Sequence, residues 1–216
     1  MSSFVYSKEQ ARTYISRATE KFAVGLWNFM EITGRHMAAI LESKAGNGKI
    51  VICCGKGNNA GSGLAMARYL INWGHDVEVW MLNEPKKLSK YARFNFEILR
   101  DSCGKFFFTG HEPESFDAAL YYSDWVVDAV LGVGIDGAPR KEEAKVIRKI
   151  NSIAKKVFAV DVPSGLNVDT GTPYTPTIRA AYTCTLMALK KGFLNPESAD
   201  WTGEVSVVDA GLPGCF

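Results

Sequence analysis

Apolar residues in this chain form two kinds of pattern: short continuous runs, and segments in which they recur every three or four positions. Continuous runs of about four to eight residues are typical of buried strands, and the wider spacing is typical of helices. From residue 49 onward the two patterns alternate, and this predicts an α/β fold with a mostly parallel, doubly wound sheet. The predicted strands are Ile50–Cys54, Val77–Leu82, Lys105–Thr109, Trp125–Val130 and Val157–Val160, and the predicted helices between them are Gly63–Trp73, Ser89–Ser102, Glu114–Ser123 and Lys141–Ala154.

Two helices are predicted before the first of these strands. The first follows Ser7, which resembles an N-cap with Gln10 three positions on, and it runs to about Phe22. The second runs from about Val24 to Leu41 and contains Gly34, whose propensity cost close packing explains. We expect the two helices to cover the sheet or to form a dimer surface. Two later apolar runs are predicted as edge strands, Tyr182–Leu186 and Glu204–Val208.

The composition narrows the class of protein. The chain has 216 residues, of which 47% are hydrophobic and 22% charged, and this favours a single domain over residues 1–216. Its net charge of +2 comes from 25 basic and 23 acidic residues that are mixed along the sequence, so we expect no nucleic-acid partner.

The N-terminal residues lack the pattern of a secretory signal, and no apolar run reaches the roughly 18 residues that span a bilayer. We therefore expect a soluble, cytoplasmic protein that does not bind membranes. Five cysteines without a Cys-x-x-Cys spacing, with three histidines, give neither a disulfide framework nor a zinc site, and this indicates a reducing compartment. Cys53 and Cys54 are expected to be buried structural thiols.

The segment Gly55–Gly63 joins the first predicted strand to the helix that follows, and it contains four glycines. It lacks the lysine that a triphosphate-binding loop places before its helix. A Gly-x-Gly-x-x-Gly dinucleotide fingerprint would require glycine where Ala60 stands. The adjacent Asn58 and Asn59 bring donors and acceptors to the loop, which favours a ligand loop, but a plain turn also uses asparagine and glycine.

Glycine occurs together with acidic, amide or hydroxyl residues in three loops that follow predicted strands: Gly55–Gly63, Asp128–Gly137 and Asp161–Asn167. Ligands of doubly wound sheets bind at the carboxyl ends of strands, so the three loops can meet over one crevice. Asp128 lies in an apolar strand and Asp161 ends one, and each requires a backbone cap, a cation or a substrate as partner. Oxygens of Asn59, Asp128 and Ser164 could hold an alkali or alkaline-earth ion, and the sequence does not choose between the two.

At these loops the chain resembles the NAD(P)H-hydrate epimerase family, the N-terminal YjeF domain. The family pattern Gly-x-Gly-Asn-Asn-Gly-Gly-Asp-Gly resembles Gly55–Gly63, and Val-Asp-Ala-x-x-Gly-x-Gly resembles Val127–Gly134. The family's Val-Asp-Ile-Pro-Ser-Gly resembles Val160–Gly165. Segments 29–35 and 188–192 are also similar to family motifs, so the resemblance covers nearly the whole chain.

The resemblance implies a Rossmann-like three-layer fold, usually a homodimer, that interconverts the R and S forms of hydrated NADH and NADPH. It also implies a potassium ion held by Asn59, Asp128 and Ser164. The substrate site that it implies is lined by Asn58, Asn59, Ala60, Gly61, Ser62, Gly132, Val133, Gly134, Ile135, Asp136, Gly137, Ala138 and Asp161.

Two candidates for proton transfer follow. Asp161 is the first, because a positioned carboxyl group in a partly dry crevice can act as acid and base. Lys190 is the second, and the alternative for it is a solvated turn residue. Ala60 and Ser62 replace a glycine and an aspartate of the family pattern. Because Ser62 replaces the family aspartate, two alternatives to the enzyme remain: the chain is a catalytically silent relative that binds a nucleotide, or it is an interaction scaffold.

Overall fold

The computed structural model describes residues 4–22, 25–102, 104–111 and 113–211. Strands and helices alternate through most of this length. In chain order they are β1 Val5–Tyr6, α1 Lys8–Phe22, α2 Leu26–Ala45, β2 Ile50–Cys54, α3 Asn58–Asn72, β3 Val77–Met81, α4 Lys90–Asp101, β4 Lys105–Phe108, α5 Pro113–Tyr122, β5 Trp125–Ala129, α6 Lys141–Ile153, β6 Val157–Val160, β7 Tyr182–Leu186, β8 Leu189–Lys190, α7 Ala199–Thr202 and β9 Glu204–Val208, with 3-10 turns at Pro85–Lys87, Lys191–Leu194 and Pro196–Ser198.

The described residues form a seven-stranded sheet in the order β4-β3-β2-β5-β6-β7-β9, and all neighbouring strands are parallel. The chain winds outward from β2 to β4 and then returns to β5, which pairs with the other side of β2. The predicted doubly wound sheet is therefore confirmed. The prediction that β7 is an edge strand is wrong, because β9 pairs along its outer side and leaves β9 at the edge.

The core occupies both faces of the sheet, since successive residues of a strand point to opposite sides. Ile50, Ile52 and Cys54 pack in the cluster that contains α2, α3 and α4. Val51 and Cys53 pack in the cluster that contains α5 and α6. Both faces are covered, so the three-layer arrangement is confirmed. Burial raises the pKa of both cysteine thiols, as expected of structural residues.

Helix α3 begins earlier than the sequence predicted. The prediction placed a loop up to Gly63, whereas the structure starts the helix at Asn58, directly after the N-cap residue Gly57. The glycine and asparagine content suggested a loop, but tertiary packing overrides these weak propensities. Ala60 is consequently a buried helical residue with negative φ, and the strain that a loop with positive φ would have caused does not arise.

The N-terminal elements are fastened to the distant C-terminal half of the chain. β1 pairs in parallel with β8, with Tyr6 opposite Lys190. The backbone N–H of Lys8, at the start of α1, donates to Asp169 Oδ1 at 2.7 Å. The two predicted N-terminal helices are both present, as α1 and α2. No helix in the described part of the chain combines the length and hydropathy needed to cross a bilayer.

Candidate functional site

A crevice of about 680 Å³ opens at the carboxyl ends of β2, β5, β6 and β7. It lies where the winding of the sheet reverses, between β2 and β5, the usual ligand position in such folds. α1 and α2 close its outer side with Arg12, Ile15, Leu26, Phe29 and Met30. The remaining lining residues come from the three predicted loops and their surroundings: Lys56, Gly57, Asn58, Asn59, Ser62, Val130, Leu131, Gly132, Val133, Gly134, Ile135, Asp136, Gly137, Ala138, Pro139, Arg140, Glu143, Asp161 and Leu186.

The start of α3 presents backbone N–H groups and the positive end of the helix dipole to this crevice. Asn58 accepts a hydrogen bond from the Ser89 hydroxyl at 2.9 Å, and Asn59 Nδ2 donates to the Leu131 carbonyl at 2.8 Å. The helical twist turns Ala60 and Gly61 away from the crevice into the core. A side chain at Gly61 would collide with Met30.

The loop after β5 forms the opposite wall. Gly132 lies against Asn59, since a Cβ on Gly132 would come within 3.2 Å of the Asn59 side chain. α1 holds the outer part of this loop: Lys8 Nζ donates to the Ile135 carbonyl at 2.6 Å and forms an ion pair with Asp136. The hydrogen bond from Lys8 lowers the pKa of the Asp136 carboxyl group.

Asp128 lies beneath the crevice and is completely buried. Its Oδ2 accepts the backbone N–H of Ser164 at 2.7 Å, and its Oδ1 accepts the Ser164 hydroxyl at 2.6 Å and the Val130 N–H at 3.2 Å. Burial raises its pKa to about 6, although these hydrogen bonds act in the opposite direction. Both carboxylate oxygens are satisfied, but no cationic side chain pairs with Asp128 among the described residues.

The three residues predicted to bind an ion are brought together. Asp128 Oδ1 accepts the Ser164 hydroxyl hydrogen. Asn59 Nδ2 donates to the carbonyl of Leu131, whose oxygen lies 3.2 Å from Ser164 Oγ. Asn59 Oδ1 makes no hydrogen bond to any other described residue. Carboxylate, hydroxyl, amide and carbonyl oxygens therefore converge at the base of the crevice. These are hard ligands that suit alkali or alkaline-earth cations.

Asp161 faces the crevice from the carboxyl end of β6. Its backbone has φ +66°, a left-handed conformation that costs a non-glycine residue energy. Its Oδ1 receives three contacts, from Lys190 Nζ at 2.8 Å, the Leu186 N–H at 3.1 Å and the Thr185 hydroxyl at 3.2 Å. Oδ2 makes no hydrogen bond within the part of the chain that the structure describes, so it remains available to a ligand.

Lys190 is fully buried, which makes the solvated alternative for it wrong. It does not line the crevice but lies behind Asp161. The sequence pattern placed Lys190 in a polar turn, whereas the pairing of β8 with β1 covers it. The expectation that Asp161 transfers a proton rested on its position at the end of a strand in a partly dry crevice, and it did not include the Lys190 ammonium group as a partner.

The family model described as YjeF-related protein N-terminus matches residues 27–192. The chain belongs to this family. The matched span includes all three motif loops, Asp128, Asp161 and Lys190, so the family's core contains the whole base of the crevice.

Relatives in the YjeF family differ in length. The bifunctional NAD(P)H-hydrate repair enzyme Nnr of Moorella thermoacetica is 38% identical over 202 residues, which are 91% of this chain but 38% of that protein. The chain therefore spans less than half of that relative. NAD(P)H-hydrate epimerase of Pirellula staleyi is 33% identical over 211 residues, 97% of this chain and 93% of the relative. NAD(P)H-hydrate epimerase of Rhodopirellula baltica is 34% identical over 205 residues, which are 95% of this chain and 83% of that relative.

A solved structure supports the fold. The crystal structure of the yeast protein ynu0 superposes on this chain with a TM-score of 0.80 at 20% sequence identity. The superposition covers 94% of this chain and 87% of the yeast chain. The predicted Rossmann-like fold is therefore confirmed for this chain.

The YjeF motifs did not reveal every residue at the crevice. Arg12 and Arg140 line it, yet the sequence offered no signal for them beyond their places on a predicted helix and beside a loop. Phe29 also lines it and begins the segment 29–35 that resembles a family motif, but that segment was not assigned to the site. Thr185 and Leu186 contact Asp161 from the end of β7. The rule that ligands bind at carboxyl ends of strands would have selected the β7 end if that strand had been placed inside the sheet.

Proposed function

We propose that this chain is an NAD(P)H-hydrate epimerase, an isomerase that interconverts the R and S forms of hydrated NADH and NADPH. The observation that carries the proposal is Asp161, a carboxylate with one unoccupied oxygen at the base of a crevice large enough for a nucleotide. Relatives that the chain matches over most of their length are named for this activity.

The proposed reaction changes no oxidation state. The reaction starts from Asp161 with a solvent-derived proton on Oδ2. Oδ2 gives this proton to the hydroxyl group on the hydrated ring carbon, and the C–O bond breaks so that water leaves with the electron pair. The lone pair of the ring nitrogen forms an iminium with that carbon. Water then adds to either face of the ring and returns its proton to Oδ2. Substrate atoms and charge balance, and only the configuration of the carbon changes.

The walls of the crevice would orient the substrate during these steps. Backbone N–H groups at the start of α3 and the glycine-rich wall 132–138 suit phosphate or ribose oxygens. Phe29, Met30 and Leu26 provide an apolar surface for a ring. Arg12, Lys56 and Arg140 place cationic groups at the crevice that could pair with the phosphates of a dinucleotide, and the carboxylates of Asp136, Glu143 and Asp161 lie in the same lining.

The proposal includes a potassium ion at Asn59, Asp128 and Ser164. A buried carboxylate without a cationic side chain, beside amide, hydroxyl and carbonyl oxygens, fits one positive charge. Within the described residues, no group of three or more His, Cys, Asp and Glu side chains gathers that would suit a higher charge. Bound potassium would supply a fixed positive charge beneath the substrate.

The experiment is direct. Purified protein is added to hydrated NADPH that is enriched in one epimer, and the R/S ratio is followed by chromatography. Asp161→Asn should slow epimerisation by about 10²–10⁴-fold, the typical contribution of a positioned acid or base. Asp101→Asn is the matched control, since Asp101 is an exposed aspartate at the end of α4 that pairs with Arg100. A wild-type protein that leaves the ratio at its uncatalysed rate would refute the proposal.

A second function is favoured by Ser62, which stands at the crevice where the family pattern has aspartate. A catalytically silent relative would bind hydrated NADPH or NADP without changing the R/S ratio. Calorimetry with NADP, run beside the epimerisation assay, separates the two functions. We also infer a homodimer from the family resemblance, and light scattering of the purified protein tests it.

A further inference from the structure

Two strained turns lie side by side at the floor of the crevice. Asp161 and Met187 are the non-glycine residues with positive φ in the described chain, at +66° and +67°. Each is the centre of a three-residue turn: the N–H of Val162 donates to the carbonyl of Val160, and that of Ala188 to the carbonyl of Leu186. Such turns with positive φ are rare, and they persist only where surrounding contacts impose them.

The ammonium group of Lys190 is what joins the two turns. Its Nζ lies 2.9 Å from the Leu186 carbonyl and 3.2 Å from the Ala188 carbonyl, so it binds both ends of the turn at Met187. It also lies 2.8 Å from Asp161 Oδ1, the side chain at the centre of the other turn. A fourth contact, at 2.8 Å, goes to the Thr185 hydroxyl.

The same ammonium group makes the two oxygens of Asp161 different. Oδ1 is held by Lys190, by the Leu186 N–H and by Thr185, all inside the protein. Oδ2 has no such contact among the described residues and belongs to the side chain that lines the crevice. Fixing Oδ1 therefore fixes the direction in which Oδ2 points.

We propose that Lys190 is a positioning residue: its buried ammonium group clamps both strained turns and holds Asp161 Oδ1, so that Oδ2 alone meets the substrate. This inference rests on the proposed function of Asp161. Three ammonium hydrogens face four acceptors, so none is left for a substrate. The side chain is wholly buried behind Asp161 and has no path to a reacting atom.

The first arm of the test measures stability and needs no activity. Urea midpoints are compared for the wild type, Lys190→Met, Asp161→Asn and the double variant. Lys190→Met leaves a buried carboxylate unpaired, so it should have the lowest midpoint, and Asp161→Asn in that background should raise the midpoint again. A double variant no more stable than Lys190→Met would overturn the clamp. Lys49→Met, which removes a half-buried lysine paired with Glu78 far from the crevice, is the control.

The second arm measures epimerisation. If Lys190 acts through Asp161, the double variant should be as slow as Asp161→Asn alone, because the clamp has nothing left to position. A further loss of about tenfold or more would show that Lys190 acts on the substrate itself and would overturn the inference.

A milder variant covers the case in which Lys190→Met does not fold. Thr185→Val removes one donor to Asp161 Oδ1 and no titrating group, and it should lower kcat by about 3–10-fold with KM within twofold and an unshifted pH profile. An unchanged kcat would contradict positioning through Oδ1. If Asp161→Asn turns over at the wild-type rate, the proposed role of Asp161 fails, while the stability arm still tests the clamp.

Discussion

The site uses two aspartates whose surroundings assign them different tasks. Asp128 is buried, with hydrogen bonds to both carboxylate oxygens and no cationic side chain near it among the described residues. Asp161 has a cationic partner on one oxygen and an open position at the other. The first is suited to hold an ion, and the second is suited to exchange a proton.

The first prediction concerns pH and potassium at Asp128. Burial raises its pKa from 3.8 to about 6, so the folded state binds the proton more tightly than the unfolded state. The contribution of Asp128 to the free energy of unfolding is therefore fully present below about pH 4. This contribution, up to ~3 kcal/mol, is lost as pH rises through 6. Potassium should raise the melting temperature at pH 8 and much less at pH 5. Thermal melts in potassium and in a bulky organic cation buffer measure this.

Asp128→Asn is the control for that experiment and should remove most of the difference between the two cations. Asparagine keeps an acceptor for the Ser164 N–H but carries no charge for the ion to neutralise. Equal melting temperatures of the wild type in both buffers at pH 8 would mean that Asp128 serves as a cap for its loop and nothing more.

The second prediction concerns Ser62, a nearly buried residue that lines the crevice near the start of α3. Ser62→Asp restores the residue of the family pattern and places a carboxylate at the crevice. We expect higher ligand affinity or faster epimerisation, measured by calorimetry and by the R/S assay. Ser62→Ala is the uncharged control. A drop in both affinity and rate for Ser62→Asp would indicate that the crevice has adapted to another ligand.

The sequence predicted these residues better than it predicted their partners. Asp128 and Asp161 were identified because an unpaired carboxylate at a strand position is costly, and the requirement for a partner holds for both. The partner of Asp161 is Lys190, which is 29 residues away in sequence and looked solvated. Only the fold brings the end of β6 next to the turn after β7.

At the scale of elements, strands were predicted more accurately than helix ends. The predicted bounds of β2, β6, β7 and β9 agree with the structure. β2, β6 and β7 are buried along their whole length, as expected of strands covered on both faces, whereas β9 is a partly exposed edge strand. The start of α3 was placed five residues late, and the two-residue strands β1 and β8 were not predicted. Strands of that length carry no periodicity, and a distant partner decides whether they form.

The third prediction tests the packing of α2 on α3. A Cβ on Gly34 would lie 2.7 Å from the Ala65 Cβ and 3.1 Å from the Met66 backbone nitrogen. Alanine would gain ~1 kcal/mol in helix propensity, but the two helices would have to separate. We expect Gly34→Ala to lower the free energy of unfolding by a net ~1–3 kcal/mol in urea titrations.

The matched control is Gly110→Ala, because a Cβ on Gly110 would meet no atom within 4 Å. It should stay within about 0.5 kcal/mol of the wild type, as surface substitutions usually do. If Gly34→Ala has the same free energy of unfolding as the wild type, α2 can move away from α3 without a loss of stability.

At the scale of the whole molecule, the crevice depends on residues that are far apart in the sequence. Arg12 of α1 and Leu186 of β7 line the same space. The sequence predicted three loops at one edge of the sheet but not the wall formed by α1. That wall is held by polar contacts of Lys8 with Ile135, Asp136 and Asp169, and no motif marks them.

The fourth prediction tests whether α1 holds this wall. Lys8→Met removes the hydrogen bond to the Ile135 carbonyl and the ion pair with Asp136. Amide exchange should become faster across Lys8–Phe22 and across residues 134–138, and ligand affinity should fall by about fivefold. Mass spectrometry of exchange and calorimetry measure the two effects. Arg17→Met, an exposed substitution on the same helix, should change neither. Unchanged exchange in Lys8→Met would show that α1 is held by its apolar contacts alone.

The attachment of β1 to β8 also bears on how a newly synthesised chain matures. Val5 and Tyr6 leave the ribosome about 180 residues before Leu189 and Lys190, their pairing partners, which corresponds to about 10–40 s at roughly 5–20 residues per second. A 15-residue helix such as α1 is only marginally stable by itself in water. Val5 and Tyr6 therefore find their place only after Leu189 and Lys190 have left the ribosome, and until then a ribosome-bound chain lacks both the wall of the crevice and the clamp on Asp161.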